Sequence, residues 1–299
     1  MADNRDIDHH SGVETTGHEW DGLKELNNPL PRWWVLVFWA TIIWSVAYWV
    51  VYPSWPMLPG ADRSADYVKG IWGVSERAQA MAGVAADKAA QSKFTDQIAK
   101  MSLKEINASP ELLKFSAVAG RMAFLNNCAG CHGSGAQGGP GYANLNDDNW
   151  LWGGTLDEIQ QTILYGIRNG ADQARGGGST AGMPERASVL KPDQINDVAE
   201  YVLSLSKKSA DAAASARGKA LFSGDGGCTA CHGDDGKGNK DLGSANLTTG
   251  IFQWGGTKAD IVKTIAEGRA GVMPAWAGKL EPTAVKELAV YIHSLGGGK

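Results

Sequence analysis

Cysteine is scarce in this 299-residue chain: there are four, and all four lie in two Cys-x-x-Cys-His units. None is left over for a disulfide framework, so cysteine reports on that motif alone. Blocks of positive charge are missing too. The 28 Lys and Arg are outnumbered by 32 Asp and Glu, the net charge is −4, and no basic run exists to neutralise phosphates. That excludes a nucleic-acid partner. Charge of either sign is absent from residues 33–61. The features of a cleaved secretory leader are also absent, since residues 1–32 hold seven acids against three bases and the exit PSWPMLPGAD offers no A-x-A pattern.

The uncharged region begins WWVLVFWATIIWSVAYWVVY, residues 33–52. At ~1.5 Å per residue this stretch covers a hydrocarbon core of ~30 Å. Trp33 and Trp34 at one end, with Tyr48, Trp49, Tyr52 and Trp55 at the other, match interfacial aromatic belts. Pro29 and Pro31 precede it, and Pro53, Pro56 and Pro59 follow. These features predict one retained transmembrane helix over 32–53, in contact with membrane lipid, behind a leader of residues 1–31.

The remainder is organised by an internal repeat. Cys128, Cys131 and His132 recur at Cys228, Cys231 and His232. WGGT at 152–155 recurs at 254–257, TILYG from Thr162 matches TIAEG from Thr264, and Met183-Pro184 matches Met273-Pro274. LKPDQINDVAEYVLSL from Leu190 matches LEPTAVKELAVYIHSL from Leu280. The offset drops from 102 at WGGT to 90 at Met-Pro, so the first copy holds 12 more residues, which fall in a Gly-rich loop over 169–182.

Each copy has helical periodicity. Ser109-Pro110 is a helix start ahead of ELLKFSAVAGRMAFLNN, Thr155 caps a helix with Leu156, Ile159, Ile163 and Ile167 on one face, and the terminal segments repeat the spacing. The fold class is therefore mainly α: one N-terminal transmembrane helix, a partly helical spacer over 54–109 with a helix from Ser75 to Lys93, and two tandem domains over 110–206 and 210–297.

Cys-x-x-Cys-His is a signal for c-type haem attachment. Two thiols three residues apart fall on one side of a helical turn, where both can form thioethers, and the adjacent His can reach the iron. A zinc site spaces its cysteine pairs by about 15–20 residues, whereas 96 residues separate Cys131 from Cys228. A thioredoxin-like pair leaves the His after both pairs unexplained. The motifs predict two covalently bound haem c groups, held by Cys128 and Cys131 and by Cys228 and Cys231, with His132 and His232 as axial ligands.

The second domain has one methionine, Met273, and the first has only Met122 and Met183. Met122 lies on the helix running into Cys128, too close to reach the opposite haem face. Met183 and Met273 remain as the sixth ligands. Chain proximity pairs Met183 with the first haem and Met273 with the second, while face-to-face domains would allow exchange. His293 is read as packed or solvated on a terminal helix. His/Met ligation saturates the iron and suits electron transfer, so no catalytic residue is expected. Trp152 and Trp254, with Arg168 and Arg269, also recur and read equally well as haem-lining or as core. The acid pairs Asp147-Asp148, Asp157-Glu158 and Asp234-Asp235 read as solvated or helix-capping.

Lys24 and Arg32 on one side of the span are matched by Arg63 and Lys69 on the other, so charge does not orient it. Covalent haem attachment is extracytoplasmic in bacteria, which places the leader in the cytoplasm and the haem domains in the periplasm.

The leader GHEWDGLKELNNPLPRWW, the single span, the exit YPSWP and the tandem haem motifs together resemble the dihaem subunit, subunit III, of cbb3-type cytochrome c oxidases. The resemblance covers nearly the whole chain. It implies a non-catalytic electron-transfer subunit of a haem-copper terminal oxidase in the bacterial inner membrane. Electrons would pass from a donor cytochrome c toward a monohaem cytochrome c subunit and a catalytic haem b/copper subunit that reduces oxygen and pumps protons. Two rivals are a free-standing membrane-anchored dihaem carrier and a dihaem peroxidase, the latter needing one haem with a missing or displaceable sixth ligand. The segment 110–206 carries six bases and ten acids and 210–299 ten and nine, which directs a basic donor to the first domain.

Overall fold

The computed structural model describes residues 6–52, 70–73, 76–178, 182–209 and 211–296. The predicted features at Pro53, Trp55, Pro56, Pro59, Arg63, Lys69 and Ser75 lie outside these residues. The chain divides into two compact units, Met1–Ala90 and Gln91–Lys299.

In the first unit the leader forms an antiparallel hairpin, β1 (Thr15–Trp20) with β2 (Leu23–Leu26). Asp21 and Gly22 between them have positive φ, 50° and 87°. An Asp-Gly turn matches the twist of the flanking strands and sets the pairing of Trp20 with Leu23, and the register shifts between Glu19 and Thr15. Helix α1 (Arg32–Val51) follows directly on Pro31. It is 20 residues long with a mean hydropathy of 1.9, and none of its residues is buried. In length and composition it is a helix able to cross a membrane.

Helix α2 (Glu76–Lys100) runs past the expected end at Lys93 into the second unit, where α3 (Leu103–Ala108) follows. Ile98, Leu103 and Ile106 are all buried in a core there. The expected spacer over 54–109 is thus, at its C-terminal end, part of a folded unit. Its apolar stripe reads as thin because only the last turns are covered.

The second unit continues with α4 (Pro110–Asn127), α5 (Ala129–His132), α6 (Leu156–Tyr165), α7 (Pro192–Leu205), α8 (Ala212–Ser223), α9 (Thr229–His232), α10 (Lys258–Glu267) and α11 (Pro282–Ser294). Local chemistry sets the boundaries. Thr155 with Glu158 and Thr257 with Asp260 close reciprocal capping boxes, and Pro110, Pro192 and Pro282 occupy first turns, where a missing N–H costs nothing.

The helices do not pack by repeat. α11 lies against α4 and α6, while α7 lies against α8 and α10. The first core joins Leu112 and Phe124 of α4 and Ile159 and Ile163 of α6 to Val285, Leu288 and Ile292 of α11. The second joins Ile195, Val198 and Val202 of α7 to Phe222 of α8 and Ile261 and Ile265 of α10. The units expected at 110–206 and 210–297 therefore mark the sequence repeat and not the packing. The second core is one continuous stretch from Met183 to the end of α10. It is inserted between the two halves of the first.

Both cores use the same helix crossing. Gly120 of α4 rests on the Glu287 carbonyl and the Tyr291 side chain of α11, and Gly218 of α8 rests on the Asp197 carbonyl of α7. A Cβ at either glycine would overlap backbone, so only glycine permits the approach. Beside each crossing an aromatic pair joins the helices, Phe124 with Tyr291 tilted at 5.6 Å and Phe222 with Tyr201 edge-to-face at 5.1 Å.

Candidate haem sites

Each Cys-x-x-Cys-His unit is a single helical turn, which follows α4 directly at Cys128 in the first copy and follows α8 after the turn 224–227 in the second. The amides of Cys131 and His132 both donate to the Cys128 carbonyl, at 3.1 and 3.0 Å, and those of Cys231 and His232 to the Cys228 carbonyl, at 3.2 and 2.9 Å. This turn sets the paired thiols and the histidine in fixed relation. Cys128 packs against the first core and Cys228 against the second, so the two thiol pairs belong to separate sites. Burial pushes the Cys128 thiol up to about 11, and burial likewise raises Cys228, with Arg186 opposing.

The imidazoles are oriented alike. His132 Nδ1 lies 2.9 Å from the Ala143 carbonyl oxygen and His232 Nδ1 lies 3.0 Å from that of Ala245. A carbonyl can only accept, so Nδ1 carries the proton and Nε2 keeps its lone pair for a metal. Burial also lowers the pKa of His232, which favours the neutral ring that ligation requires.

The methionines are held by the opposite repeat. Met183 and Arg269 exchange two backbone hydrogen bonds, at 2.7 and 2.9 Å, and Met273 and Ile167 exchange two at 3.0 Å. Gly268 and Gly166, both at φ 71°, let the Met183 and Met273 carbonyls approach where a side chain would clash. Beyond each Met-Pro pair the chain is tied down again: the Arg186 amide donates to Ile265 and the Trp276 amide to Ile163. Met183 accordingly packs on the second core with Cys228, and the Met273 segment, through Trp276, on the first with Cys128. Met122 is exposed, as expected of a residue outside the site.

The recurring tryptophans and arginines sit at the junction of the repeats. Trp152 covers Gly243 and Trp254 covers Gly141, each in the loop after the other repeat's histidine. Arg168 stacks on Trp152 at 5.5 Å and Arg269 on Trp254 at 4.9 Å. Arg168 also donates to the Gly271 carbonyl at 3.3 Å, and Gln253 donates to Gly141 at 2.8 Å.

Two buried donors near these sites lack a partner, the Trp150 indole N–H and the Arg269 Nε. Orphaned donors of this kind suit an anionic group such as a haem propionate. The chain's residues thus fit c-type haem: paired thiols, an imidazole fixed in one tautomer, a Met-Pro segment tied beside each core, and unpaired N–H donors. No recurrence marks Trp150 in the sequence, because its repeat counterpart is Phe252.

Residues 12–59 match the N-terminal domain of cytochrome oxidase-cbb3, FixP; residues 117–206 match cytochrome c; residues 213–292 match cytochrome c oxidase, cbb3-type, subunit III. The chain is 47% identical over 303 residues to the cbb3-type cytochrome c oxidase subunit FixP of Bradyrhizobium sp. strain ORS 278, covering 100% of both chains. It is 48% identical over 297 residues to subunit CcoP of Azospirillum brasilense, covering 97% of each, and 48% identical over 302 residues to FixP of Sinorhizobium medicae, covering 100% of each. The hairpin and span, the two haem motifs and this full-length likeness agree: the chain belongs to the FixP/CcoP family of cbb3-type cytochrome c oxidase subunits.

Proposed function

We propose that the chain relays electrons through two c-type haems within a cbb3-type oxidase, and that it carries no active site itself. The observation that supports this most strongly is that each core has one Cys-x-x-Cys-His unit packed on it through Cys128 or Cys228, with the histidine's Nε2 left available, and a Met-Pro segment tied beside it, Met183 on the second core and Met273, through Trp276, on the first. A haem so ligated cycles its iron by one electron and has no position left for oxygen or peroxide. The protein's part is to hold the two groups, orient their ligands and exclude water.

The packing supports an exchanged ligand set: His132 with Met273 at the haem on Cys128 and Cys131, and His232 with Met183 at the haem on Cys228 and Cys231. Electrons arrive from a donor cytochrome c and leave toward a monohaem subunit and the haem b/copper subunit that reduces oxygen. Helix α1 anchors the chain in the inner membrane, with the β1–β2 hairpin cytoplasmic and the haem cores periplasmic.

Purification in mild detergent tests the assignment. Recovery with haem b, copper and oxygen reduction is the expected result, and recovery of the dihaem chain alone would favour a free-standing carrier. Oxidised protein is expected to show the Met-to-iron charge-transfer band from both haems. A band from one haem only would reopen the peroxidase reading.

A further inference from the structure

The two helix crossings are alike in backbone and unlike in charge. Asp197 of α7 and Glu287 of α11 occupy the same place in the repeat, offset by 90, and their carbonyls contact Gly218 and Gly120 respectively. At the second crossing Arg217, the residue before Gly218, forks onto Asp197 with bonds of 2.7 and 2.6 Å. At the first crossing the residue before Gly120 is Ala119. No base is supplied.

Glu287 is nevertheless 93% buried, being 7% exposed, and its Oε1 has no hydrogen-bond partner. The fully buried Ser116 hydroxyl, on the face of α4 that carries Leu112, Gly120 and Phe124, is unpartnered too. The surrounding elements supply no compensating charge. Glu111, Lys114 and Arg121 of α4, Lys104 and Glu105 of α3, Lys100 of α2, Asp157 of α6 and Glu281 of α11 are exposed. Glu158 is taken up in the Thr155 cap. Lys286, the neighbour of Glu287, donates to the carbonyls of Ile98, Ala99 and Met101, and His293 lies half-buried near the other end of α11. Tyr291, one turn on, packs its ring on Phe124. Burial alone acts on the Glu287 carboxyl and raises it to about 7.

Both helices that enclose this carboxyl lead to one site, for α4 ends at Cys128 and α11 follows Met273. We propose that Glu287 is a redox-linked proton site for the haem on Cys128 and Cys131. On the exchanged ligation proposed above, one electron from the donor enters that haem while one proton from solvent converts Glu287 carboxylate to carboxylic acid, and oxidation releases both. Extra positive charge on the oxidised iron favours the carboxylate and its loss favours the acid, so the two events are coupled. The second haem lacks this coupling, because Arg217 keeps Asp197 ionised.

Spectroelectrochemical titration of the full chain across the neutral range tests this, with the two potentials assigned by Met273→His and Met183→His. The expected result is a potential that falls with rising pH for the haem on Cys128 and stays flat for its neighbour. Glu287→Gln and, with Glu287 intact, Ala119→Arg both flatten the first, whereas Glu287→Asp retains a slope. A protonated-carboxyl band should appear in the reduced-minus-oxidised infrared difference spectrum and vanish in Glu287→Gln. If the slope and the band survive Glu287→Gln, the proposal is overturned. If Met273→His shifts the haem whose slope does not respond to Glu287→Gln, the exchanged ligation is what fails, and the assignment of Glu287 to the Cys128 haem falls with it.

Discussion

The two cores contain the same parts, yet they are assembled from the chain in different ways. The second draws α7, α8 and α10 from consecutive chain, with only a short connection between α7 and α8. The first brings α4 together with α11, so it closes only after the whole second core has been laid down between them. Local contacts form fast and at small entropic cost, whereas distant ones require a long loop to be closed first. The second core can thus form first, and the first closes after it. The difference in charge at the crossings runs parallel: the core built from consecutive chain has its acid paired, and the one built from distant segments has an acid whose Oε1 lacks a partner.

The largest test of this asymmetry is to end the chain at Gly271, which removes Met273 and α11. The second haem is expected to keep its methionine ligand while the first loses it, so the Met-to-iron absorbance falls to roughly half. Loss of the whole band would contradict an independent second core. Next come Phe124→Ala and Phe222→Ala, each expected to cost about 3–5 kcal/mol in its own core by leaving a cavity. Denaturant melts followed at each haem should show the Phe222 change lowering both transitions, and the Phe124 change only the first.

Smaller effects separate the two acids. Glu287 is raised to about 7 in the folded protein, so the folded state holds the extra proton between the ordinary carboxylate value and about 7. Stability is lost as pH rises through that window. Glu287→Gln is therefore expected to stabilise by up to about 3 kcal/mol at alkaline pH and to give no such gain in acid. Asp197 behaves in the opposite sense, since its hydrogen bond from Arg217 lowers its pKa. Its contribution is present above the ordinary carboxylate value and fades as pH falls through the lowered one. The pair is partly solvated, so Asp197→Asn should cost less than about 1 kcal/mol at neutral pH, measured by thermal melts.

Much of this was legible in the residues. Chemistry that needs particular atoms at a particular spacing, such as the thiol pairs, His132, His232 and the two Met-Pro segments, is written locally. So are the caps at Thr155 and the helix starts at Pro110, Pro192 and Pro282. The packing of α11 on α4 and of α7 on α8 was not, because the apolar faces of α7 and α11 are near copies and each could cover either partner. One signal favoured the observed choice: a connection as short as 206–211 makes α7 and α8 antiparallel neighbours. The hairpin is only half written in the sequence, since Asp21-Gly22 is a strong turn signal but the flanking strands alternate too weakly to stand out. Glu287 could not be recognised as unpaired without knowing that α11 meets α4 and not α8.

Met273 lies on the segment that leads into α11, the helix that closes the first core on α4. On the exchanged ligation proposed above, core closure and ligand delivery would therefore be one event. A first core left open would leave its iron open as well, and the packing of α11 would serve as the check that both are complete.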